Sequence, residues 1–123
     1  MELRRLQRGE GARLREVRLR ALQDAPYAFG SWFAREVDYA PEIWDDRAAQ
    51  SDAGTVGVVY LAIEGGQCLG MAGGYFAGED RDAAKLWGMW VDPGARGQGL
   101  GRRLVEAVSG WTRDCGAQCL TWQ

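Results

Sequence analysis

Val91-Asp92-Pro93-Gly94-Ala95-Arg96-Gly97-Gln98-Gly99-Leu100-Gly101-Arg102-Arg103 is the stretch on which the fold turns. Before it, Leu86-Trp87-Gly88-Met89-Trp90-Val91 is short and apolar on both faces, as buried strands are. After it, Leu100, Leu104, Val105, Val108 and Trp111 recur at helical spacing, with Arg102, Arg103, Glu106, Ser109 and Arg113 opposite. A strand therefore ends at Asp92-Pro93, a glycine-rich turn follows, and a helix opens near Gly99. Glycines at 97, 99 and 101 let main chain come within hydrogen-bonding distance of an anion. The first helical turn has N–H groups without internal acceptors, and the helix dipole favours negative charge there. Arg96 and Arg102 add positive charge, so the junction has the geometry of a phosphate cradle.

Other glycine-rich phosphate loops fit these residues less well. A P-loop needs Gly-Lys-Ser/Thr at the helix start, whereas Gly101 is followed by Arg102-Arg103, with no hydroxyl to hold magnesium. A dinucleotide fold needs its glycines early in a βαβ unit and an acidic residue about 20 positions further on. This sequence reaches Gln123 first.

Downstream, Gly116 is placed to end the helix, and residues 118–123 read as a strand parallel to the Leu86 strand across a right-handed crossover. Upstream, Val56 to Ile63 alternates β-branched and aromatic residues, Gly65-Gly66 supplies a two-residue turn, and Cys68 to Phe76 continues as the partner strand of a hairpin. Gly88 inside its apolar run marks either a bulge or room for a large neighbour such as Trp90. Near the start, Glu2 to Leu6 reads as a short strand. A helix follows Gly9 with Leu14, Val17, Ala21 and Leu22 on one face, and Pro26 ends it. Tyr27 to Phe33 is aromatic and loop-like before Pro41 opens another helix.

At 123 residues and 46% apolar content, the chain is expected to form one domain over 1–123 and to bury roughly 65% of its unfolded surface. Arg4, Arg5, Arg8, Arg13, Arg15, Arg18 and Arg20 crowd its start, followed by acidic residues. No exposed aromatics interleave with them as nucleic-acid grooves require, so they read as a solvated face and no nucleic-acid partner is expected. Three cysteines, no C-x-x-C and no histidine give no metal site and free thiols, which fits the cytoplasm. No apolar run approaches the roughly 20 residues that span a bilayer, so no membrane association is expected. Without histidine, Ser/His/Asp and Cys/His nucleophile systems are excluded, and a general base must be a carboxylate or water.

Leu86 to Gly101 resembles the signature of the GNAT (GCN5-related) N-acetyltransferases, a strand followed by Arg/Gln-x-x-Gly-x-Gly/Ala, here Arg96-Gly97-Gln98-Gly99-Leu100-Gly101. Arg18-Leu19-Arg20-Ala21-Leu22, Asp24-Ala25-Pro26 and Ala28-Phe29-Gly30-Ser31 are similar to the first helical region of small bacterial members. The resemblance implies an α/β (α+β) fold, a mixed central sheet flanked by helices. Its substrate-side region would cover about 9–50, its hairpin about 56–76, and its acetyl-CoA-binding core about 85–123. The family pattern continues through another helix and two strands, often bearing a tyrosine that protonates the leaving thiolate; here those last strands are missing.

Carried onto matching positions, the resemblance implies that backbone amides of Gln98 to Arg102, across Gly99, Leu100 and Gly101, hold the CoA pyrophosphate, with Arg96 and Gly97 opening the loop. Trp90 and Val91 would offer main chain to the pantetheine arm, much as a strand edge accepts a further strand. A primary amine, on a small molecule or a protein, would attack the thioester directly while a strand amide polarises the oxyanion. No metal is needed. Some relatives use a glutamate base on this strand, but Lys85-Leu86-Trp87 lacks one. Glu36 and Asp38 are candidates, although solvation explains each more simply. Phe29 and Trp32 are candidates for touching the acceptor, with Tyr27 and Phe33 beside them. The other reading of the same loop is an acyl-CoA-binding module without turnover. An exposed last strand with Leu120 and Trp122 would invite a homodimer.

Overall fold

Val59, Leu61 and Ile63 alternate with Val58, Tyr60 and Ala62 along β2 (Gly57–Glu64), and both sets are largely buried. A strand with two apolar faces needs a layer on each side, and the computed structural model supplies both. It describes residues 1–25 and 33–122. One five-stranded sheet has the order β1 (Glu2–Arg5), β2, β3 (Gln67–Tyr75), β4 (Ala83–Val91), β5 (Cys119–Trp122). The first three pairings are antiparallel, and β4–β5 is parallel.

Helices α1 (Gly11–Asp24) and α3 (Pro41–Ala53) cover one face, where Leu14, Val17, Trp44 and Ala48 pack with Val59, Leu61 and Met71. The short α2 (Phe33–Glu36) lies beside them. Helix α4 (Leu100–Asp114) covers the other face through Leu100, Leu104 and Val108 against Ala62, Ala72 and Leu86. Each such buried aliphatic side chain contributes about 1.5–3 kcal/mol. Gly116 ends α4 as expected: at φ 86°, its N–H donates to Arg113 O and that of Ala117 to Thr112 O, the two bonds of a Schellman cap.

The hairpin turn holds Gly65 at φ 59° and Gly66 at φ 79°, the type I′ geometry that suits strand twist. Helix α1 stops at Asp24, before Pro26: Ala25, pushed out of the helical region by the following proline ring, sits at φ −135°, ψ 68°. The aromatic stretch from Tyr27 to Trp32, including candidates Phe29 and Trp32, lies outside the described residues. Strand β4 begins at Ala83, three residues earlier than the apolar run suggests, because β5 pairs with it from Ala83 to Leu86.

Gly88 is a bulge. Met71 pairs with Trp90 but Gly73 with Trp87, leaving Gly88 and Met89 together opposite Ala72, with Gly88 at φ 66°. It does not make room for Trp90; a Cβ there would meet the Met71 methyl at 3.2 Å and Arg18 Nη1 at 3.4 Å. The bulge shifts the phase of the strand. Leu86, Met89 and Val91 face α4, while Trp87 and Trp90 face α1. Burial on both faces therefore stops short of the strand's end: Leu86 and Trp90 are buried, but Met89 and Val91 are only half-buried because they border a groove.

Candidate functional site

Strand β4 leaves the sheet at Asp92, whose N–H donates to Leu69 O at 2.8 Å. Its side chain accepts from Gly94 N–H at 2.9 Å and so starts the 3-10 turn Pro93–Ala95. Arg20 pairs with the same carboxylate and donates to Cys68 O at 2.7 Å, tying this exit to α1. Gly97 at φ 85° and Gly99 at φ 74° then turn the chain through left-handed conformations that a side chain would strain. The first backbone bond of α4 is Arg103 N–H to Gly99 O, 3.2 Å. Among the described residues, no acceptor takes the N–H groups of Gly97 to Arg102.

These groups border a groove of about 420 Å³ lined by Trp90, Val91, Arg96, Gly97, Gly99, Leu100 and Gly101, with Ala25 and Met89. Seven of the nine residues expected at the cradle thus meet there. Gln98 does not line it, and neither does Arg102, whose guanidinium bonds Glu106 at 3.2 Å out in solvent. Arg96 folds back to the protein. Its Nε donates to Val91 O at 2.9 Å and its Nη2 to Asp24 Oδ2 at 2.6 Å. Asp24 Oδ2 also accepts from Trp90 Nε1 at 2.9 Å. The Trp90 indole first, and the Arg96 guanidinium after it, hold the Asp24 carboxyl below its ordinary range. Asp24 had no sequence signal as a site residue, since its partners lie 66 and 72 positions away.

A second cavity of about 360 Å³ lies toward the other end of β4, beneath α1, α2 and α3. Trp87 lines this one and Met89, Trp90 and Val91 line the first, so the Gly88 bulge sits between the two. Glu36 belongs to the second cavity and is not solvated; it is 2% exposed. Both its carboxylate oxygens accept from Arg18, through Nε and Nη2, at 3.1 Å each. Arg18 is likewise buried, with the Trp87 ring 5.3 Å from its Cζ, and so departs from the solvated face expected of the N-terminal arginines. A carboxylate brought from α2, 18 positions along the chain, and an aromatic face explain how a guanidinium is tolerated there. Asp38 is exposed as expected. Arg35, Tyr39 and Arg47, unremarked in the sequence, line the same cavity, whereas Phe33 does not. No helix among the described residues is long and apolar enough to cross a membrane.

Comparison with known proteins bears on the family and the fold. Residues 17–123 match the model of the Acetyltransferase (GNAT) family. Aminoglycoside N(6′)-acetyltransferase type 1 of Stenotrophomonas maltophilia is 32% identical over 105 residues, spanning 78% of this chain and 69% of the relative. A predicted acetyltransferase with acetyl-CoA from Clostridium acetobutylicum superposes with a TM-score of 0.76 at 15% identity, over 99% of this chain and 79% of the other. An aminoglycoside acetyltransferase from an uncultured soil metagenomic sample, in complex with sisomicin, superposes with a TM-score of 0.73 at 17% identity, over 99% and 76%. At such identities the structural likeness speaks for the fold.

Proposed function

The chain belongs to the GNAT acetyltransferase family, and on that premise we propose that it transfers an acetyl group from acetyl-CoA to a primary amine by direct attack. The observation that carries this reading is the row of N–H groups from Gly97 to Arg102 that find no acceptor among the described residues and open onto a groove that runs back along β4. Six such donors at the positive end of a helix fit a pyrophosphate. Val91 turns its carbonyl away from β3, toward Arg96, and this is the main-chain edge the pantetheine arm would use. Arg96 therefore swings off Val91 O when the arm arrives.

Acetyl-CoA supplies the electrophilic thioester carbonyl. The bulge at Gly88 supports a role for a β4 amide in polarising that carbonyl, because main chain released from ladder pairing can point at a ligand. The amine approaches from the second cavity. Its C–N bond forms as the C–S bond breaks, and its proton ends on the CoA sulfur. Glu36 lines that cavity, but with both oxygens held by Arg18 it serves as a brace for the guanidinium, and the proton passes to the sulfur through water.

Isothermal calorimetry with acetyl-CoA, paired with thiol release across a panel of small amines, an N-terminal peptide and a lysine peptide, tests the proposal. Micromolar binding with thiol release is expected. Binding without release would assign an acyl-CoA-binding module, and absence of binding would overturn the site. The unbridged Cys68, Cys115 and Cys119 support a cytoplasmic setting. Trp122, 67% exposed on β5, supports pairing with a second copy, and a monomer by light scattering would remove that expectation.

A further inference from the structure

We infer that Asp24 is a positioning residue of the acyl-donor groove: its carboxylate holds the Arg96 guanidinium across the Val91 carbonyl until a diphosphate draws it away, so that filling one half of the groove opens the other. The inference rests on the acyl-CoA reading of the groove. Strand β5 pairs with β4 along Ala83 to Leu86, and among the described residues no strand continues beside β4 from Trp87 to Val91. The Val91–Asp92 peptide aims its N–H at Leu69 O of β3, 2.8 Å away, so its carbonyl points to the opposite, open side. That carbonyl is already taken. Arg96 Nε donates to it at 2.9 Å, while Nη2 of the same guanidinium donates to Asp24 Oδ2 at 2.6 Å. The side chain spans strand and helix at two points, and a pantetheine amide reaches Val91 O only after the guanidinium yields.

Asp24 is the last residue of α1, where the negative end of the helix dipole disfavours a carboxylate, and the last turn holds no basic residue to offset it. Its charge therefore calls for a cation from elsewhere, and Arg96 supplies one. Trp90 Nε1 donates to the same Oδ2 at 2.9 Å, which fixes the carboxylate whichever way Arg96 points. With the indole first and the guanidinium second holding this carboxyl below its ordinary range, it is charged at neutral pH. The hold is weak enough to exchange. Arg96 is half-exposed and Asp24 partly so, and an ion pair at such exposure shifts an equilibrium by about fivefold at most. A diphosphate carries more charge than one carboxylate and offers the planar guanidinium a matched pair of oxygens. Arg96 directly precedes Gly97 and lines the same groove, so an anion seated on the Gly97 to Arg102 amides competes with Asp24 for it. Linkage makes the effect reciprocal: an arm that displaces Arg96 from Val91 O strengthens the diphosphate half by the same factor.

The test is an NMR titration with the two halves of the donor, pantetheine and ADP, added separately and together. Pantetheine is neutral, so its affinity does not respond to the field of Asp24 itself. Saturating ADP is expected to tighten pantetheine binding by about three- to fivefold and to move the Arg96 Nε–H resonance. In Asp24→Asn, whose amide oxygen still accepts from Trp90, pantetheine alone should bind about three- to fivefold tighter than to the parent, and ADP should add less than about twofold. Arg96→Lys keeps the charge but lacks the fork that spans two acceptors, so it should also bind pantetheine more tightly, with α1 left intact. Pantetheine affinity that ADP leaves unchanged or weakens, or that neither variant raises, would overturn the inference, as would an unmoved Arg96 resonance. Failure of millimolar pantetheine to bind any form does the same, since release of Arg96 then admits nothing. Intact CoA titrated into the parent separates the two readings: CoA binding without coupling removes the role of Asp24 alone, and absence of CoA binding removes both.

Discussion

Replacing Glu36 with Gln probes the buried ion pair that closes the second cavity. The substitution keeps the shape and one carbonyl acceptor but removes the charge opposite Arg18, which is 6% exposed. Breaking a buried pair by neutralising one partner costs about 3–5 kcal/mol, because the other charge stays buried without compensation. Here the Trp87 face, 5.3 Å away, and one surviving hydrogen bond place the loss near the lower end, about 3 kcal/mol. With an unfolding entropy of about 2.1 cal/mol/K per residue, a chain of 123 residues gives about 0.26 kcal/mol/K, so Tm should fall by about 12 °C. Thermal unfolding followed by circular dichroism reads this directly. The double variant Arg18→Met/Glu36→Gln should recover part of the loss, since no charge is then stranded. A Tm change under about 4 °C, or about 1 kcal/mol, would refute the brace. Assayed well below the lowered midpoint, kcat should stay within about tenfold of the parent; a fall of about 100-fold or more would instead make Glu36 the proton acceptor.

Gly101→Val should weaken acetyl-CoA binding tenfold or more by calorimetry with little change in Tm. Its backbone has no positive φ, its Cβ would sit at ordinary distances of 3.5 Å from Met89 Sδ and 3.6 Å from Val91 Cγ2, and its methyls would fill the groove; unchanged affinity would refute the site. Gly99→Val carries the same bulk but also left-handed strain at φ 74°, so it should cost stability as well. Gly88→Ala should destabilise by about 2 kcal/mol in urea unfolding, from the strain of φ 66° and the Met71 methyl at 3.2 Å, and should weaken acetyl-CoA binding by disturbing the phase of Met89 and Val91. Glu10 is held at about 2, against an ordinary 4.5, chiefly by the Arg4 guanidinium. Its folded value is depressed, so its contribution is present above about pH 4.5 and lost as pH falls toward 2; Glu10→Gln should flatten the Tm profile in that window, and a parallel profile would contradict the assignment.

The strand, glycine turn and helix from Leu86 to Asp114 were legible because their signals are local. Periodicity along α4, positive-φ glycines at 97 and 99, and a Schellman glycine at 116 all act within a few residues of themselves. The bulge at Gly88 was legible only as one of two readings, since choosing between them needs the β3 register. Arg18, Arg20 and Arg96 looked like surface or ligand-facing charge, yet each is held by a carboxylate, Glu36, Asp92 or Asp24. The sequence by itself determined the alternation of elements, the position of the glycine turn that opens α4 and the absence of histidine. Only the tertiary structure decided that the cradle's arginine rests on Asp24 and Val91, that Glu36 is buried, and that arginines from α1, α2 and α3 share one cavity. Local signals depend on dihedral preference and spacing along the chain. Pairings across 18 to 72 positions depend on which helix faces the sheet presses together, and no local pattern encodes them.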